Sequence, residues 1–206
     1  MDLLELKREQ AKLSYRIKLE DAFDEIKTIG AAECQVLGTK LLATVVVCEF
    51  PSFKVKEQKS YLLDNPLPHR IGLVAYREMP AIIEAFNQLE EEPDVLLVKG
   101  EGILHPRRLG IAAHLGLELN LPTIGVQDKL TYGNLQDGKI TINEAVLGFE
   151  IKTKDFSNPL FVSPGHNVSL QTVQEIIPKL IMPPHKLPEP LHLAHKLGRK
   201  VTRKKE

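Results

Sequence analysis

A short basic loop near the middle of the chain carries residue types suited to contact with phosphate. His105-Pro106-Arg107-Arg108 follows the glycine-rich segment Gly100-Glu101-Gly102. Guanidinium groups can form paired hydrogen bonds to phosphate oxygens, so we predict that His105, Arg107 and Arg108 contact nucleic acid. The plainer interpretation is that His105 fixes the loop and that both arginines are solvated.

The spacing of apolar residues predicts the elements that position this loop. Residues 95–98 form an uninterrupted apolar run, as in a strand buried on both faces, and a helix is predicted over residues 108–119. Before them come an amphipathic helical segment over residues 2–27, a hairpin over 28–50, a strand near 55–63 and a helix opening at 77–80. After them come strands at 122–126, 139–142, 145–151 and 160–162, then a helix from Ser169 to about Ile177 and a short helix in the C-terminal tail. We therefore predict one α/β domain over residues 1–198, a mixed sheet flanked by helices on both faces, with a basic disordered tail over residues 199–206.

Composition limits the classes of function. Lys plus Arg and Asp plus Glu each count 27, so no global field draws the chain to polyanions and any nucleic-acid contact must come from local patches. The N-terminus lacks the pattern of a secretory signal, and no apolar run reaches the ~20 residues that span a bilayer. Cys34 and Cys48 have no zinc or redox spacing, so we expect buried thiols in a cytoplasmic protein.

Four motifs, in order along the chain, carry a family resemblance. They are YREMP at residues 76–80, the run PDVLLVKGEGILHPRRLGIAAHLG at 93–116, PTIGV at 122–126 and SPGH at 163–166. Together they resemble the signature of endonuclease V, a family of enzymes that nick nucleic acid beside deoxyinosine or inosine. The resemblance extends from about residue 5 to 198 and implies an RNase H-like fold.

The resemblance also implies a metal site, and the sequence departs from it. In the family, carboxylates hold a divalent cation against the scissile phosphate, and Mg²⁺ requires oxygen ligands. The two family aspartates fall here at Ala32 and Lys99, and the family lysine falls at Asp128. Only Glu78 and His166 are retained as catalytic positions, so we expect no metal cofactor and impaired catalysis.

The family's binding surface is better preserved than its metal site. A wedge segment that holds the strand open falls at residues 68–71, where His69 and Arg70 add positive charge suited to a nucleic-acid backbone. The pocket for a flipped base falls at Gly72, Val74, Gly100 and Ile111, with Gln127 narrowing it in place of an alanine.

Three functions remain open. The first is an endonuclease V-like protein with impaired catalysis that binds DNA or RNA, including strands with inosine or distortion. The second is an active Mg²⁺-dependent endonuclease whose site is rebuilt from Glu33, Glu78, Glu101 and Asp128, with Glu78 and Glu101 as the first metal ligands. The third is a scaffold with a protein partner. If catalysis is impaired, as in the first function, we expect Lys99 to form a salt bridge with Glu78 and to pair with Glu101.

Overall fold

A nine-stranded mixed sheet forms the centre of the molecule, with strand order β3-β2-β1-β4-β5-β9-β8-β7-β6. The structure is a computed structural model and describes residues 2–154 and 156–203. The strands are β1 (Thr28–Leu37), β2 (Lys40–Glu49), β3 (Val55–Asp64), β4 (Val95–Lys99), β5 (Thr123–Gln127), β6 (Asn134–Gln136), β7 (Lys139–Ile142), β8 (Ala145–Ile151) and β9 (Leu160–Pro164). The helices are α1 (Leu3–Leu13), α2 (Val74–Phe86), α3 (Ile111–Leu119), α4 (Leu170–Ile176) and α5 (Glu189–Arg203), with 3-10 turns at Ser14–Arg16 and Ile177–Leu180.

The middle of the sheet is parallel and its two flanks are antiparallel. β1 pairs in parallel with β4, and β4 in parallel with β5, so the carboxyl ends of β4 and β5 meet at one edge of the sheet. The hairpin of β1 and β2 turns at Gly38, whose φ of 57° lies in the left-handed region that glycine adopts without steric cost. The predicted mixed sheet is therefore confirmed, and the chain crosses from one flank to the other through α2 and α3.

Helices cover both faces of the sheet, as the sequence predicted. On one face α4 and α5 cover a core that includes Ile29, Ala31 and Leu97. On the other face α2 and α3 cover a core that includes Ala32, Leu96 and Val98. Alternate residues of β1 and β4 thus face opposite layers, because successive side chains of a strand point to opposite faces.

Some elements differ from the sequence predictions. Helix α2 begins at Val74, before the predicted start, and contains Pro80 in its interior; the ring is exposed and faces solvent. The short strand β6 was not predicted, because its three residues are all exposed and lack an apolar pattern. Helix α5 runs to Arg203, so residues 199–203 are helical and not part of a disordered tail, while Lys204–Glu206 lie outside the described residues.

No helix in the part of the chain that the structure describes is both long enough and apolar enough to cross a membrane.

Candidate nucleic-acid interface and altered metal site

An ion pair occupies the carboxyl edge of β4 and β5. The Nζ atom of Lys99 lies 2.6 Å from Oδ2 of Asp128, and Nζ of Lys186 lies 3.4 Å from Oδ1 of the same carboxylate. The Lys99 side chain is 21% exposed and that of Asp128 is 47% exposed. Although burial alone would raise it, the pKa of Asp128 is lowered by its contacts with Lys99 and Lys186. The predicted Lys99–Glu78 salt bridge is therefore wrong. Lys99 instead pairs with Asp128, the residue at the position where the resemblance implies a lysine.

Glu78, a retained family position, is partly buried on α2. It is the fifth residue of α2, beyond the first turn in which a helix dipole stabilises a carboxylate. Burial raises the pKa of Glu78 to about 7; the Arg77 guanidinium opposes that shift and the Glu33 carboxylate adds to it. The helix N-terminus therefore does not stabilise the Glu78 carboxylate, because α2 begins four residues before it.

The remaining acids of the rebuilt-site hypothesis are distributed among separate partners. Nδ1 of His195, on α5, lies 3.1 and 3.0 Å from the two carboxylate oxygens of Glu33. Glu101 accepts a 2.6 Å hydrogen bond from the Thr131 hydroxyl, and not from Lys99 as predicted. Within residues 2–154 and 156–203, no group of three or more His, Cys, Asp or Glu side chains is arranged to hold a metal ion.

The side chains at the family's metal position do not fit a divalent cation. Ala32 is fully buried and packs in the same cluster as Ala75 and Met79 of α2, so its methyl group leaves neither a ligand nor an opening. Lys99 places an ammonium where the resemblance implies a carboxylate, and like charges repel at this range. The carboxylate beside it, Asp128, already has two ammonium partners.

The HPRR loop, defined as residues 105–108, is tied to the segment that precedes α2. Nε2 of His105 lies 3.1 Å from the Gly72 carbonyl oxygen, and Nη2 of Arg107 donates to the same oxygen at 2.7 Å. Nε of Arg107 also donates to Oε1 of Gln10 at 2.7 Å. Burial lowers the pKa of His105 to about 4, helped by the positive charge of Arg107, so the ring is neutral at pH 7. His105 and Arg107 therefore hold the loop in place, and Arg108 is the exposed guanidinium of the pair.

The four residues predicted for the base pocket lie around this same loop. Gly72 has a φ of 72°, and a Cβ there would meet Nη2 of Arg107 at 2.9 Å. Gly100 has a φ of 145°, and a Cβ there would meet Cγ2 of Ile111 at 2.4 Å. Both positions therefore require glycine, and Val74 packs against the cluster that contains Ile111. Gln127 is buried beside this region, and its Nε2 has no hydrogen-bond partner among the described residues.

The predicted wedge and the retained histidine lie in different settings. His69 and Arg70 are exposed, and Ile71 beside them is 88% exposed. His166 is buried, accepts a hydrogen bond from the Lys18 amide through Nδ1, and bonds through its backbone to Thr123 at the start of β5. Asp128 follows the opposite end of β5, so His166 is separated from the Lys99–Asp128 pair by the length of that strand.

Sequence reasoning missed His195 and Lys186, which lie on and just before α5. Leu191, Ala194 and Gly198 recur at helical intervals and lie on the buried face of α5, so their spacing could have predicted a longer helix here. A helix packed by that face across β1 brings its neighbouring side chains to the carboxyl edge of the sheet. The sequence predicted only a short helix in the tail, and a short helix gave no reason to place His195 or Lys186 at that edge.

The chain has an RNase H-like α/β fold. Its structure matches the catalytic domain of human endonuclease V with a TM-score of 0.89, at 29% identity over 98% of this chain and 96% of that chain. It matches Ciona intestinalis endonuclease V (D234N), in complex with a 23mer DNA containing an inosine followed by a ribo-adenosine, with a TM-score of 0.89, at 26% identity over 99% of this chain and 98% of that chain.

The sequence comparisons identify the family. The family described as Endonuclease V matches residues 11–196. Endonuclease V of Dictyoglomus thermophilum is 36% identical over 202 residues, covering 94% of this chain and 88% of the relative. Endonuclease V of Thermofilum pendens is 36% identical over 195 residues, covering 92% of this chain and 84% of the relative. The chain belongs to the endonuclease V family.

Proposed function

We propose that this member of the endonuclease V family binds single strands of nucleic acid, including strands with inosine, without cleaving them by the family's metal-dependent reaction. The observation that carries the proposal is the Lys99–Asp128 ion pair at 2.6 Å, at the strand edge where the family resemblance implies a metal ligand. A cation there would have to displace the Lys99 ammonium, and fully buried Ala32 offers no ligand in exchange.

The binding half of the proposal rests on the loop and glycines that remain. Gly72, Gly100 and Ile111 keep the residue types that the resemblance implies for the base pocket, and His105 and Arg107 of the HPRR loop bond to the Gly72 carbonyl. The Ciona intestinalis relative has been crystallised with inosine-containing DNA, which supports inosine as the first base to test. Moving a base out of its stack costs a few kcal/mol and costs least in a single strand, so we expect single strands to be the favoured ligand.

The test is a paired cleavage and binding assay on one labelled oligonucleotide. Single strands of DNA and RNA, each with one inosine, are incubated with excess protein in Mg²⁺, Mn²⁺ or chelator. We expect intact strands in every condition and a gel shift that persists in chelator. A nick beside the inosine that requires Mg²⁺ or Mn²⁺ and is lost in Glu78→Gln would contradict the proposal and favour a rebuilt site.

A gain-of-function variant tests whether positions 32 and 99 alone account for the proposed absence of cleavage. Ala32→Asp with Lys99→Asp restores carboxylates at both family positions, and Lys99→Met serves as the control that only removes the charge. We expect the double variant to gain no cleavage, because Ala32 is enclosed by α2 and Asp128 would add uncompensated negative charge. Metal-dependent cleavage by the double variant but not by Lys99→Met would show that those two positions alone had silenced the site.

The scaffold hypothesis has no specific contact in its favour within the described chain. It remains the outcome if the wild-type protein shifts none of these strands in any condition.

A further inference from the structure

A cleft of about 530 Å³ separates the N-terminal segment from the HPRR loop. Tyr15, Ile17 and Leu19 line one side, and Pro106, Arg107 and Arg108 line the other. Its volume falls within the range of roughly 300–1,000 Å³ for pockets that hold small organic ligands. The altered metal site does not use it.

Tyr15 gives the cleft an exposed aromatic face. It follows the last turn of α1, in the 3-10 turn Ser14–Arg16, and is 92% exposed. Ile17 and Leu19, on the same segment, pack inward against the cluster that contains Ile103 and Leu109. Ile17 and Leu19 therefore fix the segment to the core, while the ring of Tyr15 stays exposed to solvent and contributes little to folding stability. An aromatic ring held in this way offers a platform on which a nucleobase can stack.

Three exposed cations lie beside Tyr15 in the chain or across the cleft from it. Arg16, Lys18 and Arg108 are exposed, and none of them forms an ion pair with another described residue. Arg108 has a φ of 53°, an uncommon backbone conformation for a side chain of its size, and its amide donates to the His105 carbonyl at 2.8 Å. After burial, the charges of Lys18 and Arg16 are the next causes of the lowered pKa of His166, so these two cations act on the side of the segment that faces His166, and Arg108 is the exposed cation that lines the cleft.

Arg107 joins the cleft to the base pocket. Its guanidinium lines the cleft and donates to the carbonyl of Gly72, a residue of that pocket. A strand whose base occupies the pocket at Gly72 and Ile111 therefore has an adjoining nucleotide within reach of the cleft.

We propose that this cleft is a second nucleotide subsite, which takes a nucleotide of the same single strand beside the one held in the base pocket. The base stacks on Tyr15, and its phosphate contacts Arg108 on the cleft wall. The exposed Arg16 and Lys18, which neighbour Tyr15 in the chain, contact phosphates outside the cleft. Because every base has a π-face, the subsite accepts any base and adds affinity without adding sequence preference. The inference rests on the proposed function, since it needs a bound strand.

The first test compares Tyr15→Ala with Tyr15→Phe by fluorescence anisotropy on a labelled single strand with one central inosine. Tyr15→Ala should weaken binding by about 5- to 150-fold, the range measured for loss of one base–aromatic stack. Tyr15→Phe keeps the ring and should bind within about twofold of wild type. Arg108→Ala should weaken binding and its salt dependence, whereas Lys200→Ala, an exposed lysine on α5, should change neither.

A second arm separates a stacking role from a structural one. Two shorter strands end at the inosine, one lacking all nucleotides on its 5′ side and the other all those on its 3′ side. The effect of Tyr15→Ala should vanish on one of the two strands, because only one carries the adjoining nucleotide. An effect that persists on both strands would overturn the subsite.

The two proposals fail differently. If wild type binds the central-inosine strand and Tyr15→Ala binds it equally well, the subsite is wrong and the proposed function stands. If wild type binds no strand, both are wrong.

Discussion

At the scale of single residues, Glu78 should give the altered site a pH dependence. Its pKa of about 7 in the folded chain exceeds the ordinary value of 4.5. Between those values the unfolded chain has lost the proton that the folded chain still holds, so the contribution of Glu78 to stability falls as pH rises through this window. We expect Glu78→Gln to remove that fall, measured by urea unfolding at intervals from pH 4 to about 8.

The control for this prediction lies on the same helix. Glu84 is exposed on α2, so Glu84→Gln should leave the pH dependence of the unfolding free energy unchanged. Burial lowers the pKa values of His105, His114 and His166, so these histidines add a pH dependence of their own, and the comparison between the two variants isolates Glu78 from them. If Glu78→Gln and wild type give parallel curves, the pKa of Glu78 is not raised in the folded chain.

At the scale of elements, α5 is the component that closes one face of the sheet. Leu191 is fully buried and belongs to the cluster that contains Ile29 and Leu97. Leu191→Ala should lower the free energy of unfolding by about 2–5 kcal/mol, since it removes buried methyl groups and leaves a cavity. Chemical denaturation measures this change. Lys200→Ala on the exposed side of α5 should stay within about 0.5 kcal/mol of wild type, and a similar small effect of Leu191→Ala would contradict the packing of α5.

The same helix supplies side chains to the site. His195 lies against Glu33, and Gln35 donates to the His195 carbonyl at 3.1 Å, so β1 and α5 are joined by polar contacts as well as by the core. Loss of α5 would therefore disturb the carboxyl edge of the sheet along with the core.

At the scale of the whole molecule, positive and negative charges are equal in number, so attraction to phosphate must come from local groups of cations. With Arg16, Lys18, Arg70 and Arg108 as about four phosphate contacts, log K for a single strand should fall with log salt at a slope of about −3. Anisotropy titrations across a series of salt concentrations measure this slope. A slope near zero would mean that phosphates contribute little, and one near −7 would require many more cations than these patches provide.

The sequence by itself determined the fold class, and it predicted an altered metal site from two residue types. Buried strands such as β4 appear in the sequence as continuous apolar runs, and glycine occupies positions 72 and 100, where φ is positive. Ala32 and Lys99 stand at the two positions where the resemblance implies carboxylates. These properties are local, so they can be predicted without coordinates.

Only the tertiary structure decided which charges meet. Lys99 binds Asp128 and not Glu78, Glu101 binds Thr131, and Glu33 meets His195 from a helix 162 residues further along the chain. The structure also decided that Arg107 is fixed to Gly72 and Gln10 while Arg108 stays exposed. The physical reason is that an ion pair depends on a few ångströms of separation between distant segments, and side-chain direction follows from strand register and helix placement, which residue types alone do not specify.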